Sequence, residues 1–434
     1  MAVLYWFECK WALRGPLFIK GVIKLIPPRI SIEKLKGIIE EGKHLSNDYV
    51  EALATPVIKE LTEWANDVVF SKHNGNLTWE IPLNPSANAS AVTKLSDPMS
   101  PVVRINLGML REIYRDAFVF PMVSQQIAEE TSHVKNLNNL YQNKSFVFDT
   151  GVPPIPSSQY TEVFQRYKPL YDESRHEKLT DDLLAARFLM FELMVVWLYF
   201  HELGHLLQRH YLFQVVGGDE EDVVTVDESQ SKFVLHSEHT DENFLLKSQA
   251  REILADLEGV SLAITYMVKK NLFQMPGIYM LMCGQEIMFH RFFQIYADDF
   301  SIPDLKHPNP LVRSEFVQAY FTRLIIETCF QRKLVPSRES ISIPAVYLSS
   351  RSSTMAGLYW AIRYERLDEN QTPAFIRLSE KEYHEPKAQY ITTMNFWISQ
   401  QIEEIKANHL MSKNFIEYFE SLQLFKQSDV SPTG

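Results

Sequence analysis

The stretch Met194-Val-Val-Trp-Leu-Tyr-Phe-His-Glu-Leu-Gly-His-Leu-Leu207 decides how this chain is read. It joins an apolar, aromatic run to the pentapeptide His201-Glu202-Leu203-Gly204-His205, with no Pro or Gly on the upstream side. On a helix, residues four apart share a face, so the imidazoles of His201 and His205 can reach one metal ion. Glu202 lies between them, near enough to polarise a water held by that ion. Three polar side chains on a mostly buried helix need partners, because burying them alone is costly. The wider stretch Leu183 to Phe200 resembles a membrane span, but it contains Arg187 and Glu192 and runs straight into the motif. It reads as a buried helix of a soluble protein.

Around this stretch the chain has an ordinary globular composition. Of 434 residues, 46% are apolar and 22% charged, enough for a sizeable core in one large domain or two or three smaller ones. A net charge of -11 without a concentrated Lys/Arg run argues against nucleic acid as a partner. Cys9, Cys283 and Cys329 form no C-x-x-C pair, which points to free thiols in a reducing compartment and a cytoplasmic location. Residues 1–28 are apolar and aromatic but carry Lys10, Arg14, Lys20 and Lys24, and lack the pattern of a signal peptide or a spanning helix. They read either as an element packed on the body or as a basic amphipathic segment making peripheral membrane contact.

Periodicity predicts helix within 31–75, strands at 77–83 and 102–107, and a loop rich in Pro, Ser and Asn from 84 to 101. Helices are expected from 109 past 126, from about 180 to 211, and over 245–269, 279–296, 310–330, 388–406 and 415–425. Residues 335–373 read as short apolar pieces between turns. The acidic segment 215–243 is too long for a simple turn and reads as a solvated loop or a lid, with His236 and His239 as remote ligand candidates.

A catalytic zinc site on two histidines needs a third protein ligand and leaves a fourth position for water. Glu252 is the best candidate: Glu252 and Asp256 are again four apart, among Ile253, Leu254, Ala255 and Leu257. Asp256 could then hold the far ring N–H of His201 or His205 and so orient a ligand. The other reading of this pair is an acidic surface face. His307-Pro308-Asn-Pro-Leu-Val-Arg313 could direct His307 and Arg313 at a developing oxyanion, or be no more than a helix-capping turn.

The order H-E-x-x-H, E-x-x-A-D, H-P-x-x-x-x-R resembles gluzincin-type zinc metallopeptidases. The last two pieces are similar to those of the CAAX prenyl endopeptidase and heat-shock membrane protease group, whose membrane spans this chain lacks. The soluble phage-exclusion proteases resemble the layout more closely, including a Trp-containing helix before H-E-x-x-H and the segment Val102-Val-Arg-Ile-Asn-Leu-Gly-Met-Leu-Arg-Glu-Ile-Tyr114. The resemblance covers about residues 75–330 and departs from the family in the acidic insertion before Glu252. It implies Zn2+ held by His201, His205 and Glu252, with Glu202 as acid/base, Asp256 behind the ligands, and His307 and Arg313 near the site. It also implies cleavage of an intracellular protein or peptide, in phage defence or stress response.

The expected fold is α+β and mostly helical, a zincin-like core with a small sheet beside the active-site helix. Expected boundaries are 1–75, a metallopeptidase domain at 76–330, and a mostly helical extension at 331–434. The rival expectation is a latent or non-catalytic zinc-binding interaction protein, gated by 217–242 or by an activator.

Overall fold

Ser46 opens the described chain as a helix cap, its Oγ accepting from Tyr49 N–H at 3.2 Å. The computed structural model describes residues 46–130, 167, 181–213, 223–227, 242–293, 300, 307–365 and 374–411. The N-terminal segment, the helix expected before Ser46, His236, His239 and the helix expected at 415–425 lie outside these residues.

Among the described residues the long helices are α1 (Asn47–Val68), α2 (Leu107–Glu130), α3 (Asp181–Leu207), α4 (Glu242–Lys269), α5 (Met275–Phe293), α6 (Pro310–Gln331), α7 (Arg338–Trp360) and α8 (His384–Asn408). The strands are β1 (Thr78–Glu80), β2 (Ala89–Lys94), β3 (Asp97–Ile105) and β4 (Val223–Asp227). The molecule is thus α+β and mostly helical, with its small sheet beside α3, as the sequence suggested.

α3 is the central element. From Ala185 to Leu207 its side chains are buried almost without exception, because α1, α2, α4 and α5 all pack on it. A helix covered on every side has no solvent face and hence no amphipathic stripe. Two of its buried charges have partners: Arg187 lies 4.9 Å over the Phe118 ring, and Glu192 accepts from Tyr167 at 3.0 Å and Tyr266 at 2.7 Å. Among the described residues no helix is long and apolar enough to cross a membrane.

The sheet order is β1-β3-β2-β4, with β1 parallel to β3 and the other two pairings antiparallel. Here the structure corrects two expectations. The Asn84–Pro101 loop contains β2, which is buried on both faces from Ala89 to Thr93 and therefore shows no polar alternation. Within the acidic segment, Val-Val-Thr-Val forms β4 and pairs with β2, Ala91 opposite Val226. β3 lies in the interior of the sheet rather than at an edge.

A third correction concerns 335–373. Its Ser-rich middle lies in α7, where Ser349 donates to Gln318 Oε1 at 2.9 Å and Ser352 to the Ser349 carbonyl at 2.9 Å. These hydroxyls are buried and satisfied, so they line a helix interface instead of a turn. Behind α7, Asp116 of α2 binds Arg291 of α5, Arg363 at 3.2 Å and the Tyr359 hydroxyl at 2.7 Å. Burial pushes the Asp116 carboxyl up, but Arg291 and then Arg363 outweigh it and hold the group below its ordinary value. One apolar cluster runs from Val50 in α1 to Ile405 in α8.

Candidate metal centre

Two glycines let α3 and α4 approach until their backbones nearly touch. A Cβ on Gly204 would stand 3.2 Å from the Ala255 carbonyl oxygen, and one on Gly259 would stand 3.1 Å from His201 N. This contact sets the polar face of α4 against the motif on α3. His201 Nε2 and His205 Nε2 are 3.1 Å apart, and each lies 3.5 Å from an oxygen of Glu252. The three residues offer ligand atoms within 4.8 Å of one another, at exposures of 0, 1 and 7%. The acidic-surface reading of Glu252 and Asp256 does not hold, since both are buried.

The residues fit a metal ion. A tetrahedral ion about 2.0–2.2 Å from each donor separates the donors by about 3.3–3.5 Å, close to these spacings. The donor chemistry agrees. His201 Nδ1 lies 2.8 Å from Asp256 Oδ1, which favours the proton on Nδ1 and turns the Nε2 lone pair into the centre. Burial would raise the Glu252 carboxyl, but His205, then His201 and His307, hold it well below the usual carboxylate range. An ionised carboxylate and imidazole lone pairs converging in a buried space form a cation-binding set.

Arg313 stands behind Asp256. Its Nη2 donates to Asp256 Oδ1 at 2.8 Å and its Nε to Oδ2, a bidentate pair buried on both sides. The guanidinium is sandwiched near the rings of Phe289 and Phe292, at 4.8 and 5.3 Å, and its Nη2 is 3.6 Å from Glu252 Oε2. The local sequence explains the placement: Asn309 caps α6 by accepting from Leu311 N–H at 2.9 Å, with Pro310 in the first turn. The capping turn forms, and the same segment places His307 beside Glu252 and Arg313 on Asp256. His307, just before the cap, brings Nδ1 to 3.4 Å from Glu252 Oε2 and lies against Phe292. Glu202 is fully buried on the same turn of α3.

One site residue escaped the sequence reading. His210 follows α3 after a break, and its Nδ1 is 2.7 Å from His205 Nδ1. Burial, then the neighbouring His205 and Arg251, depress its basicity well below that of an ordinary histidine. Its only signal was a third histidine five residues beyond the motif, a spacing with no helical meaning. The end of α3 is tied down by Gln208, which donates to the Leu254 carbonyl at 3.0 Å and Glu258 at 2.6 Å, and by Leu410 N–H, which donates to the Leu207 carbonyl at 2.9 Å. No family model, curated protein or solved structure matches the chain.

Proposed function

We propose that this protein is a zinc-dependent endopeptidase of the gluzincin type acting on an intracellular protein or peptide. The observation that carries the reading is the convergence of His201, His205 and Glu252, with Asp256 and Arg313 behind the first ligand. Zinc bound there would supply Lewis acidity and lower the pKa of a water towards ~7. Glu202 takes the proton of the attacking water and returns it to the leaving amide nitrogen. Asp256 holds the proton on His201 Nδ1, and Arg313 holds Asp256. Arg313 thus acts as a positioning residue, with two donors committed to a carboxylate, whereas His307 is the better placed to donate to the developing oxyanion. An extended peptide would pair with an outer strand, β1 or β4, since β3 has partners on both sides.

Glu202→Gln tests this reading. The variant is expected to bind one zinc per chain like the wild type while losing peptidase activity by about 10²-fold or more. N-terminus mapping in cells expressing each form would identify the substrate. Wild-type cleavage levels in Glu202→Gln, or a wild type that binds no zinc, would sink the proposal.

The burial of the three ligands favours one variation, a latent form opened by a substrate or activator. A deletion of 217–242 cannot test it cleanly, because it removes β4 from the sheet. Added peptide fractions that switch on zinc-dependent cleavage would support it.

A further inference from the structure

The two histidine ligands are held differently. His201 leans on a carboxylate, itself held by Arg313, whereas His205 meets a second imidazole, that of His210. Two ring nitrogens 2.7 Å apart must be one N–H and one lone pair. If His210 were the donor, a neutral His205 would carry its own proton on Nε2 and could not ligate through that atom. If His205 is the donor, its Nε2 lone pair faces His201 Nε2 and Glu252, where the other two ligand atoms already converge.

The backbone is built to put His210 there. α3 ends at Leu207, and Arg209 takes a left-handed conformation with φ 54, uncommon outside glycine. A short 3₁₀ turn, His210–Phe213, then folds back, with Leu212 N–H donating to the Arg209 carbonyl at 3.0 Å. The Gln208 bonds to α4 anchor this break. A strained residue anchored beside a ligand is the kind of feature kept for a site. The His210 ring is 1% exposed and its centroid lies 4.9 Å from that of His205.

We propose that His210 is the positioning residue of the second metal ligand: its Nδ1 accepts the Nδ1–H of His205 and turns the His205 Nε2 toward the ion. The proposal rests on the zinc-centre reading above. It makes the pentapeptide part of a longer unit, H-E-L-G-H-x-x-x-x-H, in which a break in the helix is as necessary as the helix.

The test uses the full chain, Zn2+ as probe and competition with a chromogenic chelator. His210→Leu is expected to weaken Zn2+ binding 10–100-fold, the usual effect of losing a partner behind a ligand. His210→Asn, whose Oδ1 can take the place of Nδ1, is expected to recover most of that loss. Metal-free melting temperatures of the two variants should match, which separates positioning from packing. Nitrogen-15 spectra of histidine-labelled, zinc-loaded wild type need no variant: they should show His205 protonated on Nδ1 and His210 protonated on Nε2. Wild-type affinity in His210→Leu, or His210 protonated on Nδ1, would overturn the assignment. Failure of the metal-centre reading is distinct, for then the wild type would bind no zinc or His201→Ala and Glu252→Ala would bind it undiminished.

Discussion

At the scale of single residues the site is an ordered set of dependencies. His201 depends on Asp256, Asp256 on Arg313, and Arg313 on the capped start of α6. Removing the outermost member should therefore be felt at the centre. Arg313→Met leaves Asp256 buried opposite His201 with its charge partner gone, which costs about 3–5 kcal/mol for a buried pair. We expect a lower melting temperature and a 10–100-fold weaker zinc affinity, read by calorimetry and chelator competition. An unchanged zinc affinity would mean that Asp256 holds its position without the arginine. The members of this set were legible in the sequence, because each small group is local: His201 with His205, Glu252 with Asp256, His307 with Arg313; that Arg313 holds Asp256, 57 residues away, was not. His210 was not, because its partner lies across a backbone break that no periodicity reports.

At the scale of elements, the centre exists because α3 and α4 approach at Gly204 and Gly259. Gly259→Leu places a branched side chain where even a Cβ stands 3.1 Å from His201 N. Backbone cannot retreat as a side chain can, so overpacking of about 1–3 kcal/mol is expected to outweigh the gain in helix propensity of up to about 1 kcal/mol. The melting temperature should fall and zinc stoichiometry should drop below one. A Gly259→Leu protein that melts higher and binds a full zinc equivalent would show that the helices do not need this contact. The elements missed from sequence, β2, β4 and α7, share a cause. β2 is buried on both faces, the buried stripe of α7 runs through Pro344, Ser349, Ser352 and Gly357 and so is not apolar, and β4 takes its partner from a strand more than a hundred residues away. None presents the one-sided apolar pattern from which periodicity is read.

At the scale of the whole molecule, the site sits in a core shared by the first and last described helices. α8 joins it through the Tyr390 hydroxyl, which donates to Gln249 at 2.6 Å, and His409 beside Glu258 at 3.0 Å follows it. The core also sets how stability responds to pH. His290 is stacked on Trp360, and burial pushes its pKa down to about 4 from 6.5. Its folded value lies below its unfolded one, so between the two the unfolded chain binds more protons. Its contribution is complete above pH 6.5 and is lost as the pH falls through that range to about 4, up to about 3 kcal/mol in all. Denaturant titrations of metal-free protein should show this slope, and His290→Phe should flatten it. An equal slope in both proteins would place the titration elsewhere.

The sequence by itself determined the candidate ligands and the helices that carry them, because spacing of four on a helix is a local property that needs no fold to be read. Only the tertiary structure decided that the two halves of the site meet. That meeting depends on glycines at a helix crossing and on a break after α3 that returns His210 to His205. They do not show in local periodicity, and the free energy that selects them comes from packing the whole core rather than from any one stretch of chain.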